Sequence, residues 1–238
     1  MLDRLTQSSS VPVLCLALSL ALFLAAAAPL FAAPDGEPAG ASAEVAKMAL
    51  AAKLLDEGRA TKSPILLAAA AELMSGVSTK EGKLSKTVEG GDDSAVPPAS
   101  AEGPFRLDPG GIYDEAISLA EAQGNQTMSN LITGMKAKRG SRQSTYAAIE
   151  HTDRLKPNSA DVYTHSFKAR EQATVLVVAD GDNDIDLEIY DTKNAIVVGD
   201  RDSTSVGSCN WVPGETQDYK IKVINNTETW VDYLLFSN

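Results

Sequence analysis

Asp180, Asp182, Asp184, Asp186 and Glu188 set a carboxylate at every second residue, and Asp200 and Asp202 repeat that spacing further on. Calcium, a hard cation, is held by several such oxygens at once. Asp180, Asp182, Asp184, Asp186, Asp200 and Asp202 are therefore the candidate calcium ligands, provided the turn at Asp200 folds back beside Asp184. The run is not an EF-hand loop, because Ile185 stands where the tight-turn glycine is required. Alternate side chains of an extended strand share one face. Asp186 and Glu188 thus also read as the solvated side of a strand whose other side is Ile185, Leu187 and Ile189.

Catalytic groups are sparse. The chain has 2 histidines, His151 and His165. There is no His-Glu-x-x-His and no Gly-x-Ser-x-Gly, so no metalloprotease or serine-hydrolase motif is present. His165 lies between Tyr163 and Phe167 on one face of a strand, which reads as an aromatic row. His151, with Asp153 and Arg154, reads as a linker or the end of a first strand. Cys15 falls in an apolar leader, leaving Cys209 as the one thiol of a processed chain and reading as a half-buried small side chain. Trp211 and Trp230 read as core and cap. No catalytic residue is assigned.

The elements that position these groups change period along the chain. Val45, Met48, Ala49, Ala52 and Leu55 recur at helical spacing, predicting a helix from Ser42 to Gly58. Ser63-Pro64 supplies an N-cap and first-turn proline for a second helix, Pro64 to Ser75, closed by Gly76. Residues 77–105 are rich in Ser, Gly, Lys, Glu and Pro, which predicts a mobile loop. Helical spacing resumes at Ile112, Ala116 and Ile117, and again at Met128, Leu131, Ile132 and Met135. Lys136 and Lys138 there complement the helix dipole. Beyond Ser141 the period becomes alternating, at Tyr163–Phe167, Val175–Val178, Ile185–Ile189, Ala195–Val198, Asp218–Ile224 and Thr229–Phe236. Short regular turns between strands predict an antiparallel sandwich or jelly roll. The fold class is α+β: four helices in two hairpins, then a β-sandwich. The two hairpins resemble the tetratricopeptide class in outline only, since its Trp, Tyr and Pro positions are unmatched. That outline implies a groove for a peptide or partner.

Charge and address complete the reading. The 238-residue chain has a net charge of −11, and from Ala160 onward 14 Asp and Glu stand against 6 Lys and Arg. Nucleic acid is excluded as a partner, because phosphate binding needs clustered cations. Residues 1–33 carry Arg4, then an apolar run from Val11 to Phe31, then small residues at Ala32-Ala33, the order of a secretory signal peptide. A run of roughly 20 apolar residues also suits an uncleaved anchor, and membrane contact is expected in that case alone. Residues 34–41 read as a linker, 42–140 as the helical region and 141–238 as the sandwich.

Residues 160–238 resemble the bacterial pre-peptidase C-terminal domain family. The matching blocks, in order, are Asp161-Val-Tyr163 with Phe167, Ala179 to Asp191, Cys209-Asn-Trp211-Val-Pro213, Tyr219 to Asn225, and Tyr233 with Leu235. The resemblance implies a small jelly-roll module of secreted proteins, a role in secretion or in substrate or matrix binding, and calcium in some members. The expected function is an exported, non-catalytic binding or scaffolding protein, secreted or periplasmic, for a protein, peptide or extracellular polymer. The alternative is a small secreted hydrolase of unrecognised type or an accessory subunit of a secreted peptidase.

Overall fold

Val175 to Val178 are apolar without a break, and a strand of that kind must be covered on both faces. The computed structural model, which describes residues 40–91, 105–138, 147–181 and 183–238, shows what covers it. The leader, most of the 34–41 linker and Asp182 lie outside the described residues. No described helix is long and apolar enough to cross a membrane.

Four helices run α1 (Ala41–Ala60), α2 (Pro64–Ser75), α3 (Pro109–Ala122) and α4 (Gln126–Lys138). The strands are β1 (Thr79–Glu81), β2 (Lys86–Gly90), β3 (Ala148–Leu155), β4 (Ser159–Phe167), β5 (Ala173–Ala179), β6 (Asp186–Tyr190), β7 (Ile196–Asp200), β8 (Val206–Trp211), β9 (Gln217–Asn225) and β10 (Val231–Ser237). They form two sheets, ordered β1-β3-β10-β5-β8 and β2-β4-β9-β6-β7. The class is α+β with a β-sandwich. Without β1 and β2, the remaining eight strands follow jelly-roll order, each passing to the opposite sheet except at the β6–β7 hairpin. Every pairing is antiparallel except β1 with β3.

Alternation sorts the side chains into two cores. Val175 and Val177 of β5, with Val231, Tyr233 and Leu235 of β10, point between the sheets. Leu176, Val178, Leu234 and Phe236 point the other way, into a core with Val45, Met48, Ala52 and Leu55 of α1. The first sheet is therefore covered on both faces. In the second sheet Tyr219, Ile221 and Val223 of β9 face the inter-sheet core, while Lys220 and Lys222 stay outside it.

This packing changes three expectations. The helical region and the sandwich share one core, and the described residues form a single compact unit. The inner stripe of α1 is spent on the sheet, so the hairpins do not present it as a groove. Residues 77–105, expected to be a loop, contain β1 and β2. Their polar composition misled because edge strands are held by main-chain pairing and need little apolar surface.

Two helix signals also act differently. Gly58 lies inside α1, where a Cβ would stand 2.9 Å from Leu67 Cδ2 and 3.1 Å from the Leu67 nitrogen. It permits the close approach of α1 to α2 and does not end the helix. Ser63 holds the N-cap position of α2 with extended backbone but makes no capping bond with its side chain. Side-chain caps are found instead at α3, where Asp108 accepts from the Gly110 and Gly111 amides at 3.0 and 2.9 Å, and at α4, where Asn125 accepts from the Met128 amide at 3.1 Å.

Candidate functional site: an ionic cluster between the sheets

Alternation along β4 puts Asp161 on the same side as Tyr163 and Phe167, both core residues. A charge at such a position needs a counter-charge. It comes from β2, whose Lys86 lies opposite Tyr163 in the register. The Lys86 ammonium donates to Asp161 Oδ2 at 2.9 Å and pairs with Asp153 Oδ1 of β3 at 2.8 Å. Two tyrosines complete the cluster. The Tyr233 hydroxyl of β10 lies 2.7 Å from Asp161 Oδ2, that of Tyr163 lies 3.1 Å from Asp153 Oδ2, and the two hydroxyls are within hydrogen-bond distance of each other, so their two protons serve two of these three contacts at a time. One ammonium thus ties together groups from both sheets.

His151, two residues before Asp153 on β3, borders the cluster. Its Nε2 is 3.3 Å from Asp153 Oδ2 and its Nδ1 is 3.0 Å from the Gly82 carbonyl, while its ring meets Tyr163 edge-on at 5.2 Å. Gly82 is required at that contact, since a Cβ would fall 2.1 Å from Ile149 Cγ2. Outside this point opens a cleft of about 720 Å³, lined by Thr79, Glu81, Gly82, Lys83 and Leu84 of the β1–β2 segment, by Arg106, and by Glu150, His151 and Thr152 of β3.

The electrostatics follow depth. The Asp161 side chain is 2% exposed and that of Asp153 is 24% exposed. Burial raises the Asp161 pKa above the usual carboxylate value despite Lys86 and Tyr233. Asp153 is also penalised by burial, but hydrogen bonds from His151 and Lys86 outweigh this and hold it well below that range. Burial works against the Lys86 ammonium, and its bonds to the two aspartates more than restore it, so its pKa is raised. Desolvation pushes both tyrosine hydroxyls far up, and they stay neutral.

For His151 the bond to Asp153 outweighs burial, and its pKa rises above 6.5. The folded chain then binds this proton more tightly than the unfolded chain. The resulting stability is complete below the unfolded value and is lost as pH rises through the folded one. The denaturation midpoint is expected to fall between about pH 6 and about pH 8, and to fall less in His151→Gln. Equal slopes in the two proteins would show that His151 is not the source.

The described acidic residues singled out by spacing take their hydrogen bonds elsewhere in the fold, and Asp182 lies outside the described residues. Asp180 accepts from the Asp232 amide at 3.0 Å and from Asn183, joining the end of β5 to β10. Asp186 accepts from Asn226 at 2.8 Å. Asp200 takes the Ser208 amide at 2.8 Å and the Asp202 amide at 3.4 Å. Asp184 Oδ1 is buried without a hydrogen-bond partner among the described residues. No group of three His, Cys, Asp or Glu side chains suited to a metal ion occurs among the described residues. Ile185, Leu187 and Ile189 do face the core. Glu188, expected to be solvated, is buried, bonded to Tyr190 and, at 2.6 Å, to Arg201. Those bonds hold its pKa below the usual value against the opposing effect of burial.

His165 packs edge-on against Phe167 at 4.8 Å, and Phe167 meets Trp211 at 4.7 Å, which accords with the aromatic row. Burial lowers the His165 pKa. Cys209 is fully buried with its Sγ 3.6 Å from the Leu187 carbonyl, and desolvation pushes its thiol up to about 12. It is an inert core side chain. The ionic cluster itself went unread because Lys86 fell in the presumed loop. The available signal was the charge of Asp161 at an inward strand position.

No protein-family model matches the chain, and no curated protein matches it. Among solved structures, it is similar to the Aeromonas hydrophila periplasmic inhibitor of g-type lysozyme, at 14% identity over 38% of this chain and 84% of that one, with a TM-score of 0.31. It is also similar to a de novo designed double-stranded β-helix, at 13% identity over 37% of this chain and 97% of that one, with a TM-score of 0.25. Neither likeness carries a functional conclusion.

Proposed function

We propose that the chain is an exported, non-catalytic binding or scaffolding protein whose contact surface for a protein partner is the cleft lined by the β1–β2 segment, Arg106 and β3. The observation that supports this most is the state of His151, the histidine bordering that cleft. Both of its ring nitrogens are engaged, by Gly82 and Asp153, and the hydroxyl residues of the lining, Thr79 and Thr152, are not among its hydrogen-bond partners. A general base needs a nucleophile within hydrogen-bond reach. The lining instead offers Lys83 and Arg106 against Glu81 and Glu150, which suits a peptide surface of mixed charge. Export is supported by the composition of the leader, and attachment to a secreted partner by the pre-peptidase C-terminal resemblance.

The test compares the wild-type chain with a Lys83→Glu, Arg106→Glu variant as bait in extracytoplasmic fractions. A partner is expected with the wild type and lost with the variant. Equal recovery by both would remove the cleft as the contact surface. Turnover of ester or peptide substrates that His151→Ala abolishes would replace the reading with a hydrolase.

A further inference from the structure

β2 is held in the manner of a bound peptide. It is a five-residue edge strand, paired with β4 from Ser159 to Tyr163, and its last four residues are exposed. Its half-buried residue is Lys86, whose ammonium enters the space between the sheets. In strand addition, main-chain bonds supply affinity and a pocket for one side chain supplies specificity. Lys86 in its seat has both parts.

The seat is built without help from β2. Asp153, Asp161, Tyr163 and Tyr233 belong to β3, β4 and β10, and the tyrosine hydroxyls already orient the two carboxylates. Asp153 is also met by His151 from its own strand, whereas the deeper Asp161 has Lys86 as its ionic partner among the described residues. The two carboxylates lie 2.8 and 2.9 Å from one nitrogen. That geometry fits a compact ammonium, not the broad planar fork of a guanidinium. Among the rest of β2, Val88 is 45% exposed, and Glu89 makes a surface ion pair with Lys222. Exposed pairs of that sort contribute little.

We infer that the Asp153–Asp161 seat reads a lysine side chain presented on an extended strand, and that β2 fills it in cis until a lysine-bearing strand of a protein partner takes its place. The inference rests on the binding reading above and names the chemistry of the partner. The strand would add to the edge of β4 that β2 vacates, in the register that β2 now uses. Charge complementarity selects the occupant, since the pocket presents two carboxylates and two neutral hydroxyls.

A labelled peptide copying Leu84 to Gly91 is titrated into the full chain carrying Lys86→Met, with circular dichroism confirming its fold. Saturable binding is expected, weaker by about tenfold or more when the peptide lysine is replaced by norleucine or arginine, because a charge-assisted bond to a buried acid is lost or misfitted. The wild-type chain is expected to bind the lysine peptide more weakly than the variant, because its own strand competes. Equal binding of the lysine and norleucine peptides, or no binding to the folded variant, overturns the inference. Should the variant fail to fold, the wild-type chain with excess peptide is followed by hydrogen exchange at Lys86 to Gly90. Faster exchange supports displacement of β2, and unchanged exchange refutes it. A wild-type dimer with exchanged β2 strands would overturn the assignment to a protein partner in favour of a second copy. Loss of peptide binding with cleft-dependent capture intact would remove the lysine seat alone.

Discussion

Lys86→Ala is expected to cost the folded chain about 3 kcal/mol or more at neutral pH, the scale seen when one partner of a buried ion pair is removed. The loss exceeds that of an ordinary surface lysine because Asp161, with a 2% exposed side chain, keeps its Tyr233 bond but loses its ammonium. The pKa of Asp161 is already raised by burial, and removing the cation raises it further. A carboxyl whose folded pKa is raised penalises folding when ionised and is relieved as pH falls through that value. The deficit of the variant should therefore shrink between about pH 7 and about pH 5. Adding Asp161→Asn should recover part of the stability at pH 7, because no uncompensated charge then remains. Guanidinium denaturation of the three proteins at both pH values is the measurement. A loss below about 1 kcal/mol without pH dependence would mean that Lys86 acts as a solvent-exposed ion pair.

Phe236→Ala is expected to cost about 3 to 5 kcal/mol, the usual range for truncating a buried phenylalanine. The more telling result is its distribution over the molecule. Phe236 sits on β10 and is 1% exposed, in the core shared by α1, α2 and the first sheet. If that core joins helices and sandwich into one cooperative unit, the far-ultraviolet helical signal and the Trp211 and Trp230 fluorescence should shift together to a lower midpoint. A helical transition that stayed in place while the fluorescence moved would separate the two regions.

Both outcomes depend on contacts that are only partly written in the sequence. Period 3.6 at Val45 to Leu55 and period 2 at Ile185 to Ile189 gave the helices and strands directly, because burial of one face imposes those repeats on any chain. The unbroken run Val175–Val178 carried the further message that two layers cover β5, and Leu234 with Phe236 repeats it on β10. Gly58 shows the limit of local reading. A glycine near a helix end normally marks a stop, yet here it permits contact with Leu67. The acidic run illustrates another limit, since spacing fixes which side chains share a strand face and leaves open which strands come together. Asp180 and Asp186 are drawn to the different donors Asp232 and Asn226.

By itself the sequence determined the α+β class, the placing of four helices ahead of the eight jelly-roll strands, the inward faces of the strands, the acidic surface and the absence of a recognisable catalytic motif. These are properties of composition and of short-range period. Only the tertiary structure decided that β1 and β2 extend the edges of both sheets, that the helices are bound into the sandwich core, and that Lys86, His151, Asp153, Asp161, Tyr163 and Tyr233 meet between the sheets. Residues 75 apart are brought within 2.9 Å there, which no local repeat encodes. The physical reason is that an edge strand draws its order from a partner's backbone, and a buried charge draws its tolerance from a counter-charge delivered by another element.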